Sequence, residues 1–418
     1  MRGSLARSGL AVAVATLIAS VLIGVVPAGA AAGSPGAGAP GVTGSSVKVG
    51  VISDLTGAGA STFADSVDSM EARFKQVNAQ GGVDGRKITW AVGDTESSPT
   101  SAETAAKDLV QSKGVFLVAS VSALLFGGAP FLQQAGVPVL GYAVDGPEWF
   151  TQPYTNMFSF SGSGAAQGPA YTDGGFWKSI GATKISFIAS NTPSSTGGIG
   201  PFEAAMKAEG LAVCDDTVVP LGGVNFTTYA LSFTSAGCDA AECSCVLSSG
   251  LAVSTALAQD GVVGNKVLYG AGPSDQVYAN SADLAAAKGA YFEGTTYSNA
   301  AGKAFLAGLK KYDPEYKGGL PDLGSVSGWE TGNEVVEALE VAGKSPTRAS
   351  LMAGMRTVSN WTDDGLATSP VSWAHFGQSP AEECATYVRF VNDKYVDYPK
   401  SGKPFCGKPI PGTSFPAA

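Results

Sequence analysis

The stretch QVNAQGGVDGRKITW, residues 76–90, begins as the end of a helix, breaks at two adjacent glycines and resumes as an apolar, β-branched run. Gly81, Gly82 and Gly85 fall within five positions and are followed by Arg86 and Lys87, which fits either a phosphate-cradling loop or a helix-to-strand connection. The order of elements separates the two. An anion loop runs from a strand into a helix N-terminus, because the free amides there face the charge. Here a helix comes first: Phe63, Val67, Met70, Phe74 and Val77 recur at helical spacing. Gly81 and Gly82 stand where a helix C-terminus takes a left-handed residue, and VDG turns tightly into a strand from Arg86. The glycines serve a turn.

Outward from this joint the same alternation continues in both directions. VKVGVISDL (47–55) precedes it as a short apolar strand, and PTSAETAAKDLVQSKG (99–114) follows with the polarity of helix signals, Pro and acids early, Lys and Gly late. VFLVAS, a helix through FLQQAG, and VPVLGYA complete a first set. A second set runs from FWKSIGA to KVLYG (176–270). Strands that are apolar throughout and interleaved with helices predict an α/β fold of two doubly wound parallel sheets. TSPVSWAHFG and CATYVRFVNDKYV, near the end, predict antiparallel strands instead.

The chain has 418 residues, its first 30 reading as an export signal. MRGSLAR is basic, residues 9–26 are almost unbroken apolar, and Ala28 and Ala30 occupy the A-x-A positions of a cleavage site. The alternative is a retained membrane anchor, since the run is just long enough to span. Residues 31–46 read as a flexible Gly/Ala/Pro/Ser spacer. The net charge of −9 and the lack of a basic stripe argue against nucleic acid. All six cysteines lie in the second half, which in an exported chain predicts disulfides. Cys384 and Cys406 flank a C-terminal segment and are the expected pair; Cys214, Cys238, Cys243 and Cys245 allow three pairings.

Motifs of catalysis and metal binding are weak. AGKS (342–345) lacks the first glycine of a phosphate loop, Ala338 standing in its place. CSC has no histidine near it for zinc, and TDDGLAT is too short for a calcium loop. His375 is the single histidine, so triad catalysis would have to pass through it, without a G-x-S-x-G turn anywhere. No cofactor is expected. The informative loops are SDLTGAGASTF, ASVSALLF and GYAVDGPEW, at the ends of first-set strands, with SNTPSSTGG, SSGLAVS and GAGPSDQVY opposite. Small residues, hydroxyls and free amides beyond strand C-termini suit a small polar ligand.

In VKVGVISDLTGAGA, NAQGGVDGRKI, AGVPVLGYA and FSGSGAAQG, taken in this order, the sequence resembles the branched-chain amino-acid type of ABC-transporter solute-binding proteins. The element from Asn78 to Arg86 is the most specific. The resemblance spans about Val47 to Tyr395. It implies two lobes of a type I periplasmic binding fold, 47–157 with 294–355 and 158–293 with 356–418. Three crossover strands would join them near Met157–Ser161, Gly294–Ser298 and Met355–Ser359.

Carried over residue by residue, the resemblance gives ligand contacts at Thr62 and Phe63, at Ser122 for a ligand carboxylate, and at Ala143 and Asp145. In the second lobe it departs from the pattern. The expected tyrosine falls at Ser194, a second aromatic at Gly250, and the acid for a ligand ammonium at Gly272, with Asp275 the nearest substitute. Leucine, isoleucine and valine are therefore not expected: either Asp145 replaces the missing acid or the ligand lacks an ammonium. The implied function is capture of a small polar solute (an amino acid, amide or relative) by hinge closure, for delivery to an ABC-transporter permease. The protein would be an exported monomer without catalysis, and with Cys214 the first cysteine, no lipid-anchor cysteine is expected at the mature start. A sensor domain and a secreted hydrolase are the alternatives.

Overall fold

A computed structural model of the protein describes residues 39–162, 168–262, 266–377 and 383–413. The expected signal segment and the first half of the spacer lie outside these residues, as does SGAAQ of the FSGSGAAQG element.

Two sheets carry the fold. The first has five parallel strands, β1 (Ser46–Ser53), β2 (Lys87–Asp94), β3 (Leu117–Val121), β4 (Val139–Tyr142) and β5 (Met157–Ser159), in the order β2-β1-β3-β4-β5. The second contains β6 (Lys184–Ser190), β7 (Ala212–Val219), β8 (Ala240–Ser244), β9 (Val267–Tyr269) and β10 (Tyr291–Glu293), all parallel to their neighbours. After β11 (Cys384–Ala385), the strands β12 (Tyr387–Val391) and β13 (Lys394–Tyr398) extend this sheet antiparallel, giving β13-β12-β10-β9-β8-β6-β7. β14 (Phe405–Cys406) pairs with β11 alone. Both parallel sheets reverse their winding direction beside their first strand, β1 and β6, and the crevice beyond such a switch point is where α/β sheets accept ligands.

The joint at residues 76–90 shows why the chain folds this way. The helix Ser66–Ala79 buries Val67, Met70, Phe74 and Val77 against the first sheet. Gly82 has φ +82°, and a Cβ there would lie 2.0 Å from the Arg86 carbonyl oxygen. Only glycine takes that turn. Asn78 then brackets β2: its Nδ2 donates to the Ile88 carbonyl at 2.7 Å, and its Oδ1 accepts from the Ile88 N–H at 2.8 Å. The side-chain amide thus completes an edge the backbone would leave open.

The packing corrects three expectations. Residues 39–46 are not a free spacer: Lys48 donates its N–H to the Gly41 carbonyl at 2.8 Å, and Arg86 donates to the Thr43 carbonyl at 2.9 Å. TSPVSWAHFG forms no strand; the segment meets residues 358–361 through a single Trp361–Val371 bridge and a 2.9 Å bond from the Trp373 N–H to the Val358 carbonyl. Residues from 356 were assigned with the second lobe, yet Trp361, Val371 and Trp373 join the core of the first sheet. At the first passage, β5 keeps Met157–Ser159 in the first sheet.

The cysteines pair as Cys214–Cys238, Cys243–Cys245 and Cys384–Cys406. Among the described residues no helix is long and apolar enough to cross a membrane.

Candidate functional site

The strand-end loops of both sheets converge on a cavity of about 470 Å³. From the first half it is lined by Thr62 and Phe63 after β1, Ala123 after β3, and Ala143 and Val144 after β4. From the second come Ser190 to Ser195 after β6, Ser244 to Val246 after β8, and Gly270 to Pro273 after β9.

The two halves also bond to each other around it. Thr62 Oγ1 accepts from the Leu247 N–H at 3.0 Å, the Ser194 N–H donates to the Asp145 carbonyl at 3.1 Å, and Gln276 Nε2 donates to the Ser61 carbonyl at 2.9 Å. Leu247 heads the helix Leu247–Gln259, where an N–H has no partner within the helix. These bonds close the cleft at its rim.

The residues expected at the site separate into two groups. Thr62, Phe63, Ala143, Ser194 and Gly272 line the cavity. Ser122, Asp145, Gly250 and Asp275 do not. Gly250 sits inside its helix against Tyr269, whose ring a Cβ would meet at 2.8 Å, and Asp275 is exposed on the outer side of its turn. Asp145 is fully buried: Trp149 Nε1 donates to its Oδ1 at 2.7 Å, and burial followed by the charge of Glu148 pushes its carboxyl well up.

Ser122 is committed to an internal carboxylate. Its hydroxyl donates to Asp54 Oδ1 at 2.6 Å, the Ala123 N–H donates to Asp54 Oδ2 at 2.9 Å, and Thr95 adds a third donor to Oδ1. Asp54 is fully buried, and burial raises its pKa against these hydrogen bonds. Gly59 leaves room for it, since a Cβ there would lie 2.6 Å from Asp54 Oδ2.

The cavity's charge comes from residues the sequence pattern did not single out. Asp322 and Glu330, on the helix Leu323–Ala342 and its cap, line it beside Asp363. Asp173, Glu242, Glu293 and Glu383 line it from the second half. The described lining residues include these seven acids and no Lys, Arg or His. Tyr142, Phe160 and Trp361 form an aromatic wall, with ring centroids 5.8 Å and then 6.3 Å apart. One sequence signal points to Glu330: it shares a helical stripe with Leu323, Val326 and Ser327, an acid on an otherwise apolar face. Asp363 and Trp361 carry none, because a loop brings them in.

The chain belongs to the periplasmic binding protein family, whose model matches residues 46–394. Among solved structures it is similar to a fatty acid ABC transporter substrate-binding protein from Thermomonospora curvata, at 20% identity and a TM-score of 0.73, covering 89% of this chain and 95% of that one. A solute-binding protein from R. palustris in complex with benzoate is 18% identical, with a TM-score of 0.71 and coverage of 87% and 99%. The branched-chain amino acid binding protein LivJ from Streptococcus pneumoniae, in complex with isoleucine, is 17% identical, with a TM-score of 0.69 and coverage of 84% and 97%. No curated protein sequence matches it. The likeness to these structures is one of fold, the type I periplasmic binding fold, and the family is one of binding proteins.

Proposed function

We propose that this protein is the extracytoplasmic component of an ABC transporter, capturing a small solute between its two halves and handing it to a membrane permease. The observation that carries this reading is the 470 Å³ cavity lined by strand-end loops of both sheets and rimmed by bonds that join them. A ligand touching both halves favours the closed arrangement by its extra contacts there, which is all that hinge closure requires. The passage between the sheets after β10 would bend. We take the protein to be an exported monomer, cleaved near Ala30. Thr62, Phe63, Ala143, Ser194 and Gly272 would touch solute, with Ser122 and Asp145 shaping the loops behind them.

The test is a thermal-shift screen over amino acids, amides, amines and small carboxylic acids, followed by solution scattering with the hit. A ligand at about 100 times its Kd adds about 2.7 kcal/mol to stability. A hit that also shrinks the radius of gyration supports capture by closure. If no solute of any class shifts the melting temperature, the reading falls.

A further inference from the structure

We propose that the solute is an organic cation with an N–H-bearing head group, an ammonium or amidinium, seated against the carboxyl pair Glu330 and Asp363. This rests on the solute-binding reading above and names the chemistry of the same cleft.

Four observations converge. The first is the lining: the described lining residues include seven acids and no Lys, Arg or His, offering acceptors to a cationic solute and no cationic side chain to an anionic one.

The second is a carboxyl pair held by a single N–H. Asp363 is 1% exposed; its Oδ1 accepts from Asn333 Nδ2 at 2.7 Å, and its other hydrogen-bonding neighbour is the Glu330 carboxyl. The Glu330 carboxyl lies in hydrogen-bonding range of Asp363, and both residues line the cavity. Two adjacent carboxyl groups in a desolvated place cannot both ionise unaided; either a shared proton or a cation must hold them. An N–H cation beside the pair takes the place of that shared proton.

The third is the loss of the carboxylate subsite. The Ser122 hydroxyl, which the family resemblance offers to a ligand carboxylate, is bound by Asp54, as is the neighbouring Ala123 N–H. A carboxylate solute would have to displace a buried side chain to reach them.

The fourth is the aromatic wall of Tyr142, Phe160 and Trp361, whose ring faces favour a cation's apolar body and charge.

The charged groups facing the pair have been considered together. Arg73 faces Asp363 from the helix Ser66–Ala79, but its Nε donates to Asn333, its Nη1 to Gln76 Oε1 at 2.6 Å, and its Nη2 reaches Asp364 at 3.4 Å. It props the pair from behind. Asp364 adds negative charge, burial pushes Glu334 well up and brings Asp322, beside Asp65, to about 7, and Tyr297 is raised by burial and then by Glu330, Asp322 and Asp363. Burial first, then Asp363, pushes Glu330 well up, and burial brings Asp363 to about 7. The bound cation therefore replaces a proton.

The experiment is calorimetric titration of the full chain with phenethylamine and benzamidine, beside tetramethylammonium, benzoate and leucine. The expected result is binding of the two N–H cations with release of about one proton. Their Kd should fall about tenfold per pH unit as pH rises from about 5 towards 7. Tetramethylammonium, lacking N–H groups, should bind at least tenfold more weakly. Glu330→Gln and Asp363→Asn, each checked for an unchanged fold by circular dichroism, should each weaken phenethylamine at least tenfold and abolish the proton release. Benzoate or leucine binding as tightly as the amines would overturn the proposal while leaving solute capture intact. Unchanged amine affinity in Glu330→Gln would overturn it too, and silence from every probe would count against both readings.

Discussion

Thr62 Oγ1 accepts a 3.0 Å hydrogen bond from the Leu247 N–H, tying the loop after β1 to the helix that follows β8 across the mouth of the cleft. A family-derived ligand contact is in this structure also a latch between the halves. Replacing Thr62 by Val keeps its volume and removes the acceptor, which costs about 0.5–1.5 kcal/mol for a hydrogen bond of this kind. Titration should show phenethylamine bound several-fold more weakly by Thr62→Val, with a larger radius of gyration by scattering and recovery in Thr62→Ser. An unaltered affinity and radius would mean that the bond forms without holding the halves together.

Stability should fall as pH rises towards neutrality. Asp322 and Asp363 are each raised from 3.8 to about 7, chiefly by burial and then by Asp65 and Asp364 respectively among the acids. The folded state thus keeps protons that the unfolded chain releases, so this stabilisation is full below about pH 4 and lost as pH climbs through about 7. Asp94 and Asp239 act oppositely: burial pushes them up, but hydrogen bonds from Thr56 and from Lys184 and Thr183 hold them below 3.8, so their share is lost in acid. Unfolding free energies from urea titration should therefore peak near pH 4–5 and decline towards pH 7, on the order of 3 kcal/mol for each of the two groups. Asp363→Asn should flatten the decline; a midpoint rising across that window would contradict it.

Asp54 gives a prediction with a rescue. Asp54→Ala strands the Ser122 and Thr95 hydroxyls and the Ala123 N–H without their acceptor, at a cost of about 2–3 kcal/mol. Formate or acetate should restore part of the melting temperature in the variant and leave the wild type unmoved. If the anions act equally on both, the vacated position is not an anion site.

The disulfides should differ in worth. Cys214–Cys238 and Cys384–Cys406 span 24 and 22 residues, and loops of that size predict a loss of about 2–4 kcal/mol when both cysteines become serine. Cys243–Cys245 spans 2 residues, so a double replacement by alanine should cost less, about 1–1.5 kcal/mol from chain entropy. Chemical denaturation of the three double variants would show the order, and equal losses would refute the loop-size argument.

Much of the fold was readable because it rests on local rules. The helix carrying Val67, Met70, Phe74 and Val77, the turn at Gly82 and the apolar runs of β1, β3 and β4 each follow from spacing or backbone freedom within a few residues. The segment at 361–373 was misassigned for the same reason: its placement depends on what Trp361 and Trp373 pack against, and nothing local encodes that. At the site, loops such as that of Thr62 and Ser194 could be located by position after a strand. Whether Ser122 has a free hydroxyl could not, because its partner Asp54 is distant in sequence and meets it only when β1 and β3 lie side by side.

The sequence by itself determined an α/β chain of two parallel sheets with ligand-type loops at their strand ends, since periodicity, turn residues and family motifs are properties of neighbouring positions. Tertiary structure alone decided the cleft's chemistry. It placed Glu330 beside Asp363 and gave Asp54 the donors at Ser122, because charge and hydrogen-bond saturation depend on which distant groups share one small, dry space.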